Sequence, residues 1–198
     1  MDTLWLAIGL AIGYIAFLAI LEITKRKLNW SAELTRRLAH IVTGLCTILN
    51  FSILPSYLFL SLVALAFLGT FVTDRFKLLS SIHQVSRQTY GEYFLPIGAF
   101  AAWFVCSGQA HIYVPAILIM TFADSFAGLV SNIYGQPRKM LRGSLVFFLV
   151  ATLILHFTRF TFELSLVFGV ALALVERFSP KGSDNLTVPL AAALLLML

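Results

Sequence analysis

An aspartate inside an apolar stretch is the residue of this sequence best suited to chemistry. Asp124 lies in TFADSFAGLVSNIYG, residues 121–135, at a depth where one charged side chain costs about 2.5 kcal/mol or more. Gly128, Ser131 and Gly135 follow at helical spacing, so they share one small, polar face with the acid. This pattern predicts a site for a metal ion and a phosphate. The alternative is a polar helix–helix contact in which an arginine neutralises the acid.

Three cations follow that face in a short loop. Arg138, Lys139 and Arg142 precede Gly143 and Ser144, where the chain becomes apolar again. Guanidinium and ammonium groups form short, charge-assisted hydrogen bonds with phosphate oxygens. The sequence therefore predicts a phosphate-binding loop directly after the buried acid.

A second cationic cluster lies in ELTRRLAHIVTG, residues 33–44. Arg37, His40 and Gly44 share a helix face, and Arg36 lies one turn before the histidine. Arginines at the start of a helix are suited to holding phosphate. The alternative is that the arginines reach lipid headgroups, which leaves the histidine unexplained because it lies a turn deeper.

Two further clusters carry acids. TYGEYFLPIG places Glu92 at the start of an apolar run, where the acid either binds metal or pairs with Arg87. In ERFSPKGSDNLTVPL, Glu176 ends one apolar run, and Asp184 and Asn185 begin the next. An Asp–Asn pair supplies the oxygen ligands that magnesium prefers, whereas the alternative for Asp184 is a helix N-cap.

The composition is that of an integral membrane protein. Of 198 residues, 60% are hydrophobic and 12% charged, and the mean hydropathy is +0.92. The net charge of +5 does not indicate nucleic-acid binding, because the basic residues lie in short loops between apolar runs. Cys46 and Cys106 fall inside those runs without metal-ligand spacing. No soluble nucleotide-binding motif such as GxxxxGK[ST] or GxGxxG is present.

Eight transmembrane helices with short loops form the predicted fold, an all-α bundle. The predicted spans are residues 3–23, 38–54, 56–73, 91–107, 112–134, 143–160, 163–177 and 186–198. The last span is short, so it is expected to be tilted, partly inserted or packed against its neighbours. Together they predict one transmembrane domain over residues 1–198, with a motif-bearing core from about residue 33.

Basic residues alternate between the loops of this layout. Every Lys and Arg except Arg159 falls on an odd-numbered loop. Because positively charged short loops remain in the cytoplasm, both termini are predicted outside and all four polar clusters on the cytoplasmic side. Span 3–23 has its basic residues after the apolar core, unlike a cleaved signal peptide, so it is expected to be retained. Its Gly9 and Gly13 form a small-xxx-small pair, a helix-packing face that is compatible with a homodimer.

Residues 74–90 are predicted to form an amphipathic helix in the cytoplasmic interface. Leu78, Leu79, Ile82 and Val85 recur at helical spacing among charged and polar residues. Such a helix serves either as a lid over a site at membrane level or as a passive connector.

The four clusters, in this order, resemble the CTP-dependent isoprenoid-alcohol kinases of membranes, the phytol, farnesol, polyprenol and dolichol kinases. The matching segments are ELTRRLAH followed by Gly44, YGEYFLPIG, ADSFAGLVSNIYG with its basic loop, and ERFSPKGSDNLTVPL, the last close to the phytol kinase form. They extend from about residue 33 to the C-terminus.

The resemblance implies a membrane enzyme that uses Mg²⁺ to transfer the γ-phosphate of CTP to a long-chain alcohol such as phytol, geranylgeraniol or a polyprenol. Its partners would be CTP, the lipid alcohol and membrane lipids. It also implies that Asp124, Asp184 and Asn185 belong to the nucleotide and metal site, with Arg37 and His40 nearby.

Combining the resemblance with the residue patterns gives the following assignment. The catalytic residues are Asp124, His40 and Arg37; the nucleotide- and phosphate-binding residues are Arg36, Gly128, Ser131, Asn132, Arg138, Lys139, Arg142 and Ser144; the magnesium ligands are Asp124, Asp184, Asn185 and Glu176; Glu33 and Glu92 are further motif residues. Either Asp124 or Glu92 would accept the alcohol proton.

Phosphatidate cytidylyltransferases and CTP-dependent diacylglycerol kinases resemble the pattern more weakly and remain the nearest alternatives. A small transporter is a different class of alternative, with Asp124 lining a path. It predicts an inverted repeat, which the sequence lacks, and polar groups distributed across the membrane instead of gathered on one side.

Overall fold

The computed structural model describes residues 2–83, 89–133 and 141–198, and all secondary structure in these ranges is helical. The all-α prediction is thus confirmed. Among these described residues, four helical stretches are long and apolar enough to cross a membrane: Asp2–Leu28, Ser56–Arg75, Ala110–Asn132 and Leu141–Thr158. The eight-span layout, like the single domain over 1–198, stays a prediction.

The chain divides into two compact units, Met1–Gln88 and Thr89–Leu198, called here the N-terminal and C-terminal units. The N-terminal unit contains α1 (Asp2–Leu28), α2 (Ala32–Ile53), α3 (Ser56–Arg75) and α4 (Ser80–His83). The Ser31 hydroxyl caps α2 by accepting a hydrogen bond from the backbone N–H of Leu34. Pro55 separates α2 from α3, as the sequence predicted.

In residues 89–133 and 141–198, the C-terminal unit has seven helical elements. These are α5 (Gly91–Val105), α6 (Ala110–Leu118), a π-helical segment (Ile119–Ala123), α7 (Asp124–Ile133), α8 (Leu141–Thr158), α9 (Phe162–Phe178) and α10 (Asp184–Leu196). Helix α10 packs against α5, α6, α9 and the π-helical segment, while α8 packs against α7, α9 and the same segment. Both α10 and the π-helical segment are therefore central to this unit.

Helix α10 is short but well packed, which fits one of its predicted arrangements. Its backbone lies so close to α5 that a Cβ on Gly98 would collide with the carbonyl group of Asn185. Glycine at this position therefore permits α5 to contact the first turn of α10 directly.

The predicted span 112–134 is not one regular α-helix. Residues 119–123 form the π-helical segment, and Ile119, Met120, Thr121 and Ala123 in it are buried. A π-helical turn widens the helix by one residue and changes the direction in which the following side chains point. Hydropathy did not predict this π-helical turn, because the same apolar residues are compatible with an α-helical and with a π-helical backbone.

Only part of the predicted interfacial helix over 74–90 falls in the described residues. There α3 continues to Arg75, and a turn leads to the four-residue α4. Residues 84–88 lie outside the described ranges, so the amphipathic helix stays a prediction.

Candidate functional site

Three acids of the C-terminal unit converge from separate helix ends. Asp124 is the first residue of α7, directly after the π-helical segment. Glu176 lies in the last turn of α9, and Asp184 is the first residue of α10. We call these three residues the acidic triad.

The acidic triad is compact and buried. One carboxylate oxygen from each residue lies within 4.8 Å of the other two. Their exposed fractions are 8% for Asp124, 4% for Glu176 and 8% for Asp184. Carboxylates this close repel one another unless a cation compensates their charge. Three buried carboxylate oxygens at this spacing fit a magnesium ion, which prefers oxygen ligands.

Asn185, the fourth predicted metal ligand, is fixed beside the triad. Its Nδ2 donates a 2.8 Å hydrogen bond to the carbonyl of Gly91, and its backbone N–H donates to Oδ1 of Asp184 at 3.0 Å. Asn185 is only 6% exposed, and within the described ranges its Oδ1 has no hydrogen-bond partner. A buried amide oxygen on the residue that follows Asp184 matches the donor set of a magnesium site.

The alternative role for Asp184 as a helix N-cap is wrong. Ser183 occupies the cap position, and Asp184 is already in the helix. Before it, Gly182 has φ +85, in the left-handed region that favours glycine. The turn also receives a hydrogen bond from the N–H of Tyr90 to the carbonyl of Lys181, at 2.9 Å.

These contacts join two motifs that are far apart in the sequence. The TYGEYFLPIG segment meets the start of α10 through Tyr90, Gly91 and Gly98. Glu92, in the first turn of α5, is half-buried. Its predicted partner Arg87 lies outside the described residues.

The predicted face of α7 is partly occupied by packing. The Ser131 hydroxyl donates to the carbonyl of Ala127 at 2.9 Å, and α8 approaches it at Gly143. Gly128 is half-buried, whereas Asn132 is exposed. Gly135, the last member of the face, lies outside the described ranges.

The described end of the basic loop is the start of α8. Arg142 is exposed there, while Ser144 is buried. A side chain that the sequence analysis did not assign reaches this point: Arg177 of α9 donates to the Ser144 hydroxyl at 3.5 Å. The sequence signal that could have identified Arg177 was its position directly after Glu176 in the ERF segment. Arg138 and Lys139 lie outside the described residues.

The ELTRRLAH residues belong to the N-terminal unit. Arg37, His40 and Gly44 are buried on one face of α2, as their spacing predicted. Arg37 forms a 3.4 Å ion pair with Glu33 one turn earlier. Arg36 is half-buried, and its guanidinium donates to the carbonyl of Ile82 at 3.3 Å.

Two buried hydroxyls flanking Asp124 escaped the sequence analysis. Thr121 and Ser125 are fully buried, and their hydroxyls have no hydrogen-bond partner among the described residues. Elsewhere in this chain, hydroxyls such as those of Thr43 and Ser165 bond the carbonyl four residues earlier. Both missed residues were inside the quoted motif. Regular α-helical spacing places Ser125 off the predicted face, whereas Thr121, three residues before Asp124, lies at its edge and was identifiable.

Comparison with known proteins gives a relative along nearly the whole chain. The sequence is 32% identical over 211 residues to a phytol kinase from Synechocystis sp. (strain ATCC 27184 / PCC 6803 / Kazusa), covering 97% of this chain and 91% of the relative. No protein-family model and no solved structure matches the chain.

Proposed function

Because the chain belongs to the family of phytol and isoprenoid-alcohol kinases, we propose that it transfers the γ-phosphate of CTP to a long-chain isoprenoid alcohol at the cytoplasmic face of a membrane. The observation that carries this proposal is the buried acidic triad among apolar helices. Phosphoryl transfer depends mainly on positioning and charge neutralisation. A cluster of buried acids that binds Mg²⁺ next to basic loops meets both requirements.

The acidic triad and Asn185 are the proposed magnesium ligands. When bound, the ion neutralises charge on the β- and γ-phosphates and aligns them for transfer. The protein contributes rigidity, since α7, α9 and α10 each place one acid from a helix end. The hydrogen bond from Asn185 to Gly91 holds the start of α10 against α5.

The proposed phosphate-binding residues form two groups. The first group binds the phosphate oxygens and consists of Arg138, Lys139, Arg142 and Ser144, together with Gly128, Ser131 and Asn132. The second group neutralises the transferring group or the leaving diphosphate and consists of Arg36, Arg37 and His40. Charge-assisted hydrogen bonds from such groups are about twice as strong as neutral ones. The predicted topology supports this division because it assigns both groups to the cytoplasmic side.

In the proposed reaction the alcohol oxygen attacks the γ-phosphorus. A new P–O bond forms, the bond between the γ-phosphorus and its bridging oxygen breaks, and CDP leaves with the bond electrons. The alcohol proton passes to a carboxylate, either Asp124 or Glu92. The hydroxyls of Thr121 and Ser125 are proposed to hold the alcohol group, while its tail lies between apolar helices.

A product assay tests the proposal. Purified protein should convert CTP and phytol, geranylgeraniol or a polyprenol into the alkyl monophosphate and CDP, with a requirement for Mg²⁺. Release of pyrophosphate would instead indicate a cytidylyltransferase. Phosphorylation of diacylglycerol in preference to these alcohols would indicate a diacylglycerol kinase, and both outcomes would contradict the proposal.

A further inference from the structure

A buried carboxylate in α1 has no part in the proposed reaction. Glu22 lies in the last two turns of this apolar helix and is 7% exposed. A charge within a membrane-spanning helix is costly unless polar groups compensate it. The polar groups that surround Glu22 therefore indicate why an acid is placed there.

Most of these groups come from the start of α4. The backbone N–H of Ser81 donates to Oε2 of Glu22 at 2.7 Å, and the Ser80 hydroxyl donates to Oε1 at 2.6 Å. Arg26, one turn later in α1, donates to the same Oε1 at 2.8 Å. Lys25 donates to the Ser80 carbonyl at 2.6 Å. Glu22 and Lys25 thus hold Ser80 from both its hydroxyl and its carbonyl group.

Side chains of helix α2 donate hydrogen bonds to the backbone carbonyl groups of α4. The Thr35 hydroxyl donates to the carbonyl of Ser81 at 3.0 Å, and Arg36 donates to the carbonyl of Ile82 at 3.3 Å. Thr35 and Arg36 belong to the ELTRRLAH motif. A chain of hydrogen bonds consequently runs from Glu22 through α4 to the first arginine of that motif.

We propose that Glu22 is a positioning residue for phosphate binding and acts through α4 on Arg36. The inference rests on the proposed function, in which Arg36 contacts phosphate. A guanidinium is a planar fork of five N–H donors, so a bond to a fixed carbonyl sets the direction in which the others point. Without the carboxylate, the N–H of Ser81 and the hydroxyl of Ser80 lose the charged group that accepts their hydrogen bonds. The Ile82 carbonyl that orients Arg36 is then no longer fixed.

The Glu22→Gln variant tests this role by separating the two substrates. We expect the KM for CTP to rise roughly tenfold, because hydrogen bonds to a charged group are among the stronger ones. The KM for the alcohol should stay near wild type, whereas kcat should fall, because Arg36 is proposed to neutralise the transferring group or the leaving diphosphate. Glu163→Gln is the control, since Glu163 is exposed in the first turn of α9.

A second pair of variants keeps the carboxylate in place. Lys25→Met removes the hydrogen bond to the Ser80 carbonyl. Lys27→Met removes the same charge from an exposed lysine that forms no such bond with the described residues of α4. Only Lys25→Met should raise the KM for CTP. This pair remains informative even where Glu22→Gln fails to fold.

Hydrogen exchange at the Ser81 amide provides a readout independent of catalysis. Faster exchange in Glu22→Gln together with a raised KM for CTP supports the proposal. Faster exchange with unchanged kinetics would reduce Glu22 to a structural anchor, and unchanged exchange would refute the contact; either result overturns the proposal. Failure of the proposed function is distinct, because the wild-type protein would then form no alkyl phosphate from CTP.

Discussion

Asp124, Glu176 and Asp184 matter because of their mutual distance. Any one of these acids, alone in an apolar helix, would be a costly buried charge. With ligand atoms within 4.8 Å of one another, the three are instead suited to share a divalent cation. The electrostatic demand of three buried carboxylates is thus the physical basis for the proposed metal requirement.

Substitutions in the acidic triad should lower activity, whereas substitution of an acid elsewhere should not. Asp124→Asn, Glu176→Gln and Asp184→Asn should each lower kcat by roughly 10²-fold or more, because each removes charge that positions the phosphates. The protein should remain folded, and the Mg²⁺ concentration for half-maximal activity should rise. Glu163→Gln, on the same helix as Glu176 but exposed, should retain wild-type activity. Full activity of Asp124→Asn would contradict the assignment.

The buried hydroxyl of Ser125 permits a milder test. Ser125→Ala should raise the KM for the alcohol about threefold to tenfold, since a neutral hydrogen bond contributes about 1 kcal/mol. Ser131→Ala is the matched control, because the Ser131 hydroxyl already bonds the carbonyl of Ala127. Equal effects of the two substitutions in alcohol titrations would argue against a role for Ser125 in binding the acceptor.

At the scale of elements, the start of α10 is set by its contact with α5. Gly98 has no side chain, and the carbonyl of Asn185 occupies the space that a Cβ would need. This contact, together with the bond from Asn185 to Gly91, holds Asp184 in reach of the other two acids. The proposed metal site would therefore depend on helix packing as well as on its ligands.

Gly98→Ala should consequently lose activity although residue 98 is not a proposed ligand. The added methyl group meets backbone atoms, which cannot rotate away, and overpacking of this kind costs about 1–3 kcal/mol. We expect a lower melting temperature and a more than tenfold lower kcat/KM. Gly69→Ala in α3 is the control, because a Cβ there meets nothing within 4 Å. Normal activity of Gly98→Ala would show that α10 tolerates displacement.

At the scale of the whole molecule, the set of helices that cross the membrane decides which loops face the cytoplasm. Four stretches satisfy length and hydropathy, and α9, with 17 residues, is not among them. The eight-span layout nevertheless requires α9 to cross, with Arg159 outside and Lys181 in the cytoplasm. Short spans of this kind are accommodated by tilting or by local thinning of the bilayer.

Cysteine labelling tests this layout directly. In a background where Cys46 and Cys106 are replaced by serine, Arg159→Cys should react with an impermeant reagent added outside intact cells. Lys181→Cys should react only after permeabilisation. Labelling of both positions from the same side would exclude a membrane-crossing α9 and, with it, the eight-span layout.

The sequence alone determined the all-helical fold class and was the basis on which the residues of the site were predicted. Apolar runs of this length can satisfy their backbone hydrogen bonds in lipid only as helices, so the all-helical architecture followed from composition. The expense of burying charge likewise made Asp124 conspicuous. Asp184 and Asn185 were identifiable because acid and amide oxygens at the start of an apolar run suit a cation.

Tertiary structure alone decided which residues meet. The π-helical segment could not be predicted, because apolar residues are compatible with either helical geometry. The contact of Gly98 with α10 depends on two helices that are distant in sequence. Glu22 was overlooked for the same reason: its partners Ser80 and Ser81 reach it only through the packing of α4 against α1. Periodicity reports one helix at a time, whereas a site is built between helices.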